Sequence, residues 1–350
     1  MLREFKVLTN RMMLWWKLVI KPANDFRVSF FTRVKYAILG FSANEYEWYN
    51  FKKNDYHEYI SNYERTLSRE INGKYKIILD NKMIFEDVFT QYANIAHSYA
   101  WISNGEIYGR NHYLINNSNI MDFIREKRNV ILKIEEGAGG RGVFLIENVN
   151  NKFLVNGIEK TNAFVMELIQ KQKKAFLCEY IKQSQFEDSL YPFASNTIRI
   201  IVGKEKNGHL LRILGAVQRI GNELSKPVDN VSAGALAASI DIETGELGYA
   251  FAAKSHRRSD LLIKYDRHPD TNAQIKGKVI PDWENIKEHI IEITSRFPYL
   301  NLVGWDILLS DNGFYIIEGN ASSGLIMFQT ENGVRNTEIG NIYRSYGIIK

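Results

Sequence analysis

Between residues 129 and 318 the apolar positions fall into short runs, at 129–135, 142–147, 153–158, 175–181, 196–203, 210–220, 234–242, 247–252, 302–309 and 313–318. Turn-forming residues punctuate most of them, and they read as β-strands. One helical period interrupts the series at 282–296, where Ile286, Ile290 and Ile293 share a face. Upstream, the pattern predicts a short strand at 76–79, a helix from about Lys82 and a strand at 99–102. Residues 1–70 are helical in pattern and rich in aromatics, with Asn44 and Glu47 placing a helix start near Glu45. The polar segment 253–281, ending at Pro281, is the least regular. The expectation is an α/β (α+β) chain with a helical lobe at 1–70, a connecting subdomain at 71–128, two further subdomains at 129–195 and 196–335, and a tail at 336–350.

The first twenty residues carry their own pattern. Leu2, Phe5, Leu8, Met12, Trp15, Trp16 and Val19 recur at three- and four-residue steps, while Arg3, Lys6, Arg11 and Lys17 fall elsewhere. This is an amphipathic helix. Two destinations are open to its stripe: the protein's own core, or an anionic membrane surface at which Trp and Lys sit at the headgroup boundary. No apolar run is long enough to span a bilayer, and no small-residue cleavage site follows, so neither a transmembrane helix nor a signal peptide is expected.

Composition narrows the class. Of 350 residues, 45% are apolar and 24% charged, as in ordinary soluble domains. Cys178 is the only cysteine, which excludes an internal disulfide and fits a reducing compartment, the cytoplasm. The net charge is +5, yet residues 1–40 hold eight Lys and Arg against Glu4 and Asp25, a local balance of +6. The remainder is nearly neutral, and no nucleic-acid partner is expected.

Candidate chemistry lies in four places. Asn129 to Val143 reads as a strand bearing Lys133, a glycine-rich tip that includes Gly139 and Gly140, and a returning strand. Such a tip lets backbone N–H groups approach a polyphosphate, although a glycine-rich hairpin standing alone is more often merely a flexible turn. In the stretch from Gly304 to Gly324, two apolar strands flank Asp311-Asn312-Gly313. A three-residue loop there would set Asp306 opposite Glu318, with Asn320 on the same face. Two carboxylates and an amide suit magnesium. Ala175 to Ile181 offers a strand edge for a nucleobase, with Glu187 eight residues past Glu179. Arg199 sits in an apolar strand, where either a structural carboxylate or an anionic ligand must partner it.

The order of these pieces resembles ATP-grasp enzymes, over about residues 75–330. Leu79-Asp80-Asn81-Lys82 resembles that family's Asp-Lys segment, with Asn81 in place of the usual Asp. More narrowly, FSANEYEWYNF (41–51), NTIRI (196–200), PVDNVSAGAL (227–236), HPDTNAQIKGKVIPDW (268–283), GWDILLS and IIEGN make the chain similar to the sugar-transfer-associated ATP-grasp group of polysaccharide and cell-envelope biosynthesis. It departs from that group at Gly234-Ala235, where Gly-Gly is usual, and at Asn272, where Gly is common. The resemblance implies two α+β subdomains clamping ATP. Lys82, Lys133, Gly139 and Gly140 would hold its phosphates, Glu179, Tyr180 and Ile181 the adenine, and Glu187 the ribose. Asp306, Glu318 and Asn320 would bind one or two magnesium ions.

The implied reaction is phosphoryl transfer to a carboxylate, then attack by an amine, yielding ADP, phosphate and an amide. Arg199 is expected to stabilise the developing charge and Arg219 to bind a substrate anion. The substrate would be a small molecule or glycan. A kinase that stops at phosphoryl transfer and a non-catalytic envelope-assembly scaffold are the alternatives. His268 could reach substrate or be an exposed or helix-capping residue, and His256, Arg257 and Arg258 could clamp an acid or be solvated. The oligomeric state is left open, and the cytoplasm, with attachment to the inner face of the cell membrane, is the expected location.

Overall fold

The computed structural model describes residues 2–22, 25–110, 112–135, 142–252, 261 and 263–350, with side chains from residue 8 onward. Two antiparallel sheets organise it. The first comprises β1 (Ser98–Ser103), β2 (Glu106–Gly109), β3 (Asn129–Ile134), β4 (Val143–Val149), β5 (Lys152–Val155), β6 (Ile158–Lys160) and β7 (Lys174–Glu179), in the order β2-β1-β7-β3-β4-β5-β6. The second comprises β8 (Thr197–Gly203), β9 (Arg212–Ile220), β10 (Leu236–Ile240), β11 (Leu247–Phe251), β12 (Leu302–Ser310) and β13 (Gly313–Asn320), in the order β11-β10-β9-β8-β12-β13.

Helices precede and cover the sheets: α1 (Leu2–Trp15), α2 (Phe30–Ile38), α3 (Ala43–Trp48), α4 (Asn62–Leu67), α5 (Ile77–Asp80), α6 (Lys82–Phe89), α7 (Ile120–Lys127), α8 (Asn162–Gln170), α9 (Gln185–Asp188), α10 (Trp283–Ser295) and α11 (Glu338–Ser345). Ile120 and Ile124 of α7 and Val165 and Ile169 of α8 join Val130, Leu132, Ala175 and Leu177 in the core of the first sheet. Ile286, Ile290 and Ile293 of α10 pack with Ile198, Ile200, Val202, Val303 and Trp305 on the second. β8 is buried at all seven positions, which explains its unbroken apolar run around Arg199. No helix among the described residues is long and apolar enough to cross a membrane.

Several elements differ from the sequence expectation. Residues 77–80 form helix α5, following 3₁₀ turns over Ser68–Lys76, where a strand was predicted. A run as short as Ile77-Ile78-Leu79 fits either state, and packing decides: the β13 backbone at Gly319 passes close to Leu79 and Phe85. The run 153–158 is a hairpin instead of one strand. Val155 pairs with Ile158 across Asn156-Gly157, both of which have positive φ, at 50° and 76°. Helix α3 starts at Ala43, because Ser42 and Glu45 form a capping box upstream of the Asn44 signal. The part of 253–281 that is described is held by isolated bridges, Tyr265 to Ala250, Arg267 to Gln274 and Val279 to Glu246.

The N-terminal helices are fastened to β12 and to the segment after β13 by side chains that imitate backbone. Gln329 accepts from Ile60 N at 2.8 Å and donates to Ile60 O at 3.0 Å. Asn72 donates to Leu302 O at 2.7 Å and accepts from Asn301 N at 2.7 Å. Each pair satisfies buried polar groups at the junction.

Candidate active site

Asp306 pairs with Glu318 and Gly304 with Asn320 across β12 and β13. The route to that register differs from the expected one. Ser310 pairs with Gly313, so the loop has two residues, Asp311 and Asn312; Gly313 takes φ 115°. Continued regularly, that turn would oppose Asp306 to Ile317. A bulge between the Ile307–Ile316 and Asp306–Glu318 pairs absorbs Ile317 and restores the register.

On the other side of β12, Asp306 pairs with Arg199 of β8, and β8 pairs in turn with β9. The Arg199 guanidinium grips Asp306 with two nitrogens, Nε to Oδ1 and Nη2 to Oδ2, the latter at 2.8 Å. Its Nη1 donates to Ser323 Oγ at 3.2 Å. Arg219 reaches the same carboxylate at 3.2 Å, and Asp229 at 3.1 Å. Thr197 donates its hydroxyl to Asp229 and accepts from Arg219 Nε at 3.0 Å. Burial alone would push the Asp306 carboxyl up. Arg199 and Arg219 outweigh it and hold the group at about 2, an anion at every physiological pH. Burial likewise works against the Arg219 charge, but Asp229, Asp306 and Glu318 raise it above the ordinary guanidinium value. Asp229 itself is raised, by burial that Arg219 only partly offsets.

Glu318 is the open carboxylate of the set, 35% exposed in its side chain and 4.0 Å from Arg199. Asn320 directs its amide nitrogen to Gly304 O at 3.3 Å and toward Glu318 Oε1 at 3.5 Å. Among the described residues no group of three or more His, Cys, Asp and Glu gathers as a metal cluster. The hairpin set is two carboxylates and an amide, and hard oxygens of that number fit magnesium, which completes its shell with water and phosphate. Glu318 and Asn320 would hold it, beside an Asp306 already anchored by two guanidinium groups.

One lysine feels the charge of this set, and a second lysine feels the first. Lys82 opens α6, which Asn81 caps by accepting from Met83 N and Ile84 N, both at 3.1 Å. Burial, then the charge of Lys133, lowers Lys82 to about 8, while Glu318 pulls the other way. Lys133 lies on β3, between Val143 of β4 and Phe176 of β7. Lys82 therefore feels both the first sheet and the hairpin of the second.

The remaining expected residues divide. Gly139 and Gly140, like His256, Arg257 and Arg258, lie outside the described residues. Glu179 ends β7, exchanging backbone contact with His97 (Glu179 N to His97 O, 2.8 Å), and Tyr180 and Ile181 follow half-buried. Glu187 is fully buried; its Oε2 accepts from Gln218 Nε2 at 2.9 Å, and its Oε1 is buried without a partner. Burial pushes its carboxyl well up. His268 is neither exposed nor at a helix cap: it is buried, stacks on Tyr191 with ring centres 4.8 Å apart and bonds to Gly221 O at 2.8 Å. Thr197, Asp229 and Ser323 were not anticipated. Asp229 lies within the PVDN segment, but nothing in its local pattern marks it as buried. A cavity of about 480 Å³ lined by Glu86, Asp87, Thr90, His97 and Tyr113 lies apart from the hairpin set.

The family model described as sugar-transfer associated ATP-grasp matches residues 62–341. No match was found among curated proteins. Among solved structures, the ADP complex of purK, N5-carboxyaminoimidazole ribonucleotide synthetase, is 9% identical with TM-score 0.40, covering 70% of this chain and 45% of its own. The biotin carboxylase–β,γ-ATP complex from Campylobacter jejuni is 14% identical with TM-score 0.42, covering 77% and 46%. The ATP-grasp ligase PsnB with a phosphomimetic minimal precursor, Mg and ADP is 12% identical with TM-score 0.41, covering 79% and 60%. The chain spans about half the length of these proteins. The family match, extending over most of the sequence, carries the conclusion: the chain belongs to the sugar-transfer associated ATP-grasp family.

Proposed function

We propose that the protein is an ATP- and magnesium-dependent ligase that joins a carboxylate to an amine through an acylphosphate, acting on a sugar acid or amino acid in surface-polysaccharide assembly. The observation that carries this reading is the convergence of Lys82, Glu318, Asn320 and the fixed anion Asp306, with Lys133 close enough to lower Lys82. Cations on one side and oxygen donors on the other are what a metal–triphosphate needs. Magnesium bound there would neutralise phosphate charge as the phosphoryl group transfers.

The chain's own groups do the rest. Lys82 and Lys133 hold phosphate oxygens. Arg199 and Arg219 keep Asp306 ionised and immobile, and their positive charge favours a developing oxyanion nearby. The sugar-transfer family supports the glycan assignment, and the basic N-terminus supports work in the cytoplasm at the inner face of the cell membrane.

Incubation with ATP, magnesium, mixed amino acids and uronic acids should release phosphate and yield an amide by mass spectrometry. A phosphorylated acid with no amide would make the protein a kinase. Phosphate release unchanged in Asp306→Ala would contradict the site assignment.

A further inference from the structure

We infer that the chain docks on an anionic bilayer through a platform of two helices, α1 and α2, of which α2 carries the more exposed apolar row. The sequence stripe of α1 divides in the fold. Trp15 turns inward, its Nε1 donating to Ala37 O at 3.0 Å, and Val19 is buried. Leu8, Met12 and Trp16, at four-residue steps, stay 57%, 64% and 58% exposed. On α2, Tyr36 and Ala37 are buried, while Phe30, Val34 and Ile38 form a second row at 72%, 43% and 77%, with Phe31 at 84%. The Trp15–Ala37 bond joins the two helices, and the residue that follows each partner, Trp16 at the π-helical turn after α1 and Ile38 at the end of α2, is an exposed apolar side chain. The body already takes the inner faces, so the outer rows answer to something else.

Charge selects the occupant. Arg11, Lys17, Lys21, Arg27, Arg33 and Lys35 are exposed around these rows, and Asp25 is the only acid between residues 8 and 40. A second copy would bring the same cations against them. Anionic headgroups complement them, with apolar side chains entering the acyl boundary beneath. The proposal is independent of the nucleotide chemistry.

The test is co-sedimentation of the full chain with phosphatidylcholine vesicles, with and without phosphatidylglycerol. Binding should require the anionic lipid and weaken with salt. The double variant F30E/F31E should lose about tenfold or more in bound fraction. Its melting temperature and phosphate release without vesicles should match the parent, because both rings are exposed and distant in sequence from the nucleotide residues. Lys17→Glu with Lys21→Glu should weaken binding without touching the apolar rows. Equal binding by parent and F30E/F31E, or no binding to anionic vesicles, would overturn the proposal. So would self-association abolished by F30E/F31E with vesicles left unbound, or capture of an acidic polypeptide in place of vesicles.

Discussion

At the scale of the residue, the Asp306 carboxylate is defined by its two guanidinium partners. Removing it takes the bidentate partner from the buried Arg199, whose next carboxylate is Glu318 at 4.0 Å, while Arg219 keeps Asp229, so Asp306→Ala should cost ~3–5 kcal/mol of stability by denaturant titration as well as abolish phosphate release. Glu318→Gln separates the two effects: the side chain is partly exposed, so melting should barely change while magnesium-dependent activity falls. Lys82 predicts a pH dependence. Its folded value near 8 means that the charged form is lost as pH rises through that point, so nucleotide affinity by calorimetry should weaken above pH 8. Lys82→Arg, always charged, should flatten the profile. Two departures from the family pattern are explained at this scale. Asn81 caps α6 with its side-chain oxygen, as an Asp would. Asn272 stands where glycine is common because its φ is 59°, and Asn is among the residues that best tolerate the left-handed region.

The elements matter through their close approaches. A Cβ on Gly304 would lie 2.8 Å from Ser323 Cβ and Oγ and 3.4 Å from Arg199 Cδ. Gly304→Ala should therefore push the Ser323 loop off Arg199, costing about 1–3 kcal/mol and lowering activity at unchanged oligomeric state. Gly319 has the same relation to Leu79 Cδ2, at 2.7 Å, so a side chain there would part α5 and α6 from β13, and Lys82 from Glu318. Most strands and α10 were legible because their periodicity is long or their turns are marked. The opposition of Asp306 and Glu318 was also legible, although through the wrong turn. A two-residue loop and a compensating bulge give the same pairing as one three-residue loop, and sequence cannot tell these apart. Helix α5 was not legible, since four residues carry no period. Nor was the Glu187 burial, because eight-residue spacing says nothing of which way a carboxylate turns.

For the whole molecule, the placement of the site depends on helices at the start of the chain reaching a hairpin near its end. Arg65 donates to Ser322 O and Oγ, at 3.3 and 3.1 Å, beside the Ser323 that Arg199 holds. Gln329 clasps Ile60, and Gln329→Ala would leave that backbone pair buried and unsatisfied, costing ~1–3 kcal/mol in a melt that loosens the N-terminal helices first. No local pattern announces such long-range pairs. The most direct test of the account is calorimetric titration of a non-hydrolysable ATP analogue with and without magnesium, into the parent and Glu318→Gln. Binding should need magnesium in the parent and weaken at least about tenfold in the variant. Magnesium-independent binding of equal strength in both, or no binding by the folded parent, would contradict it.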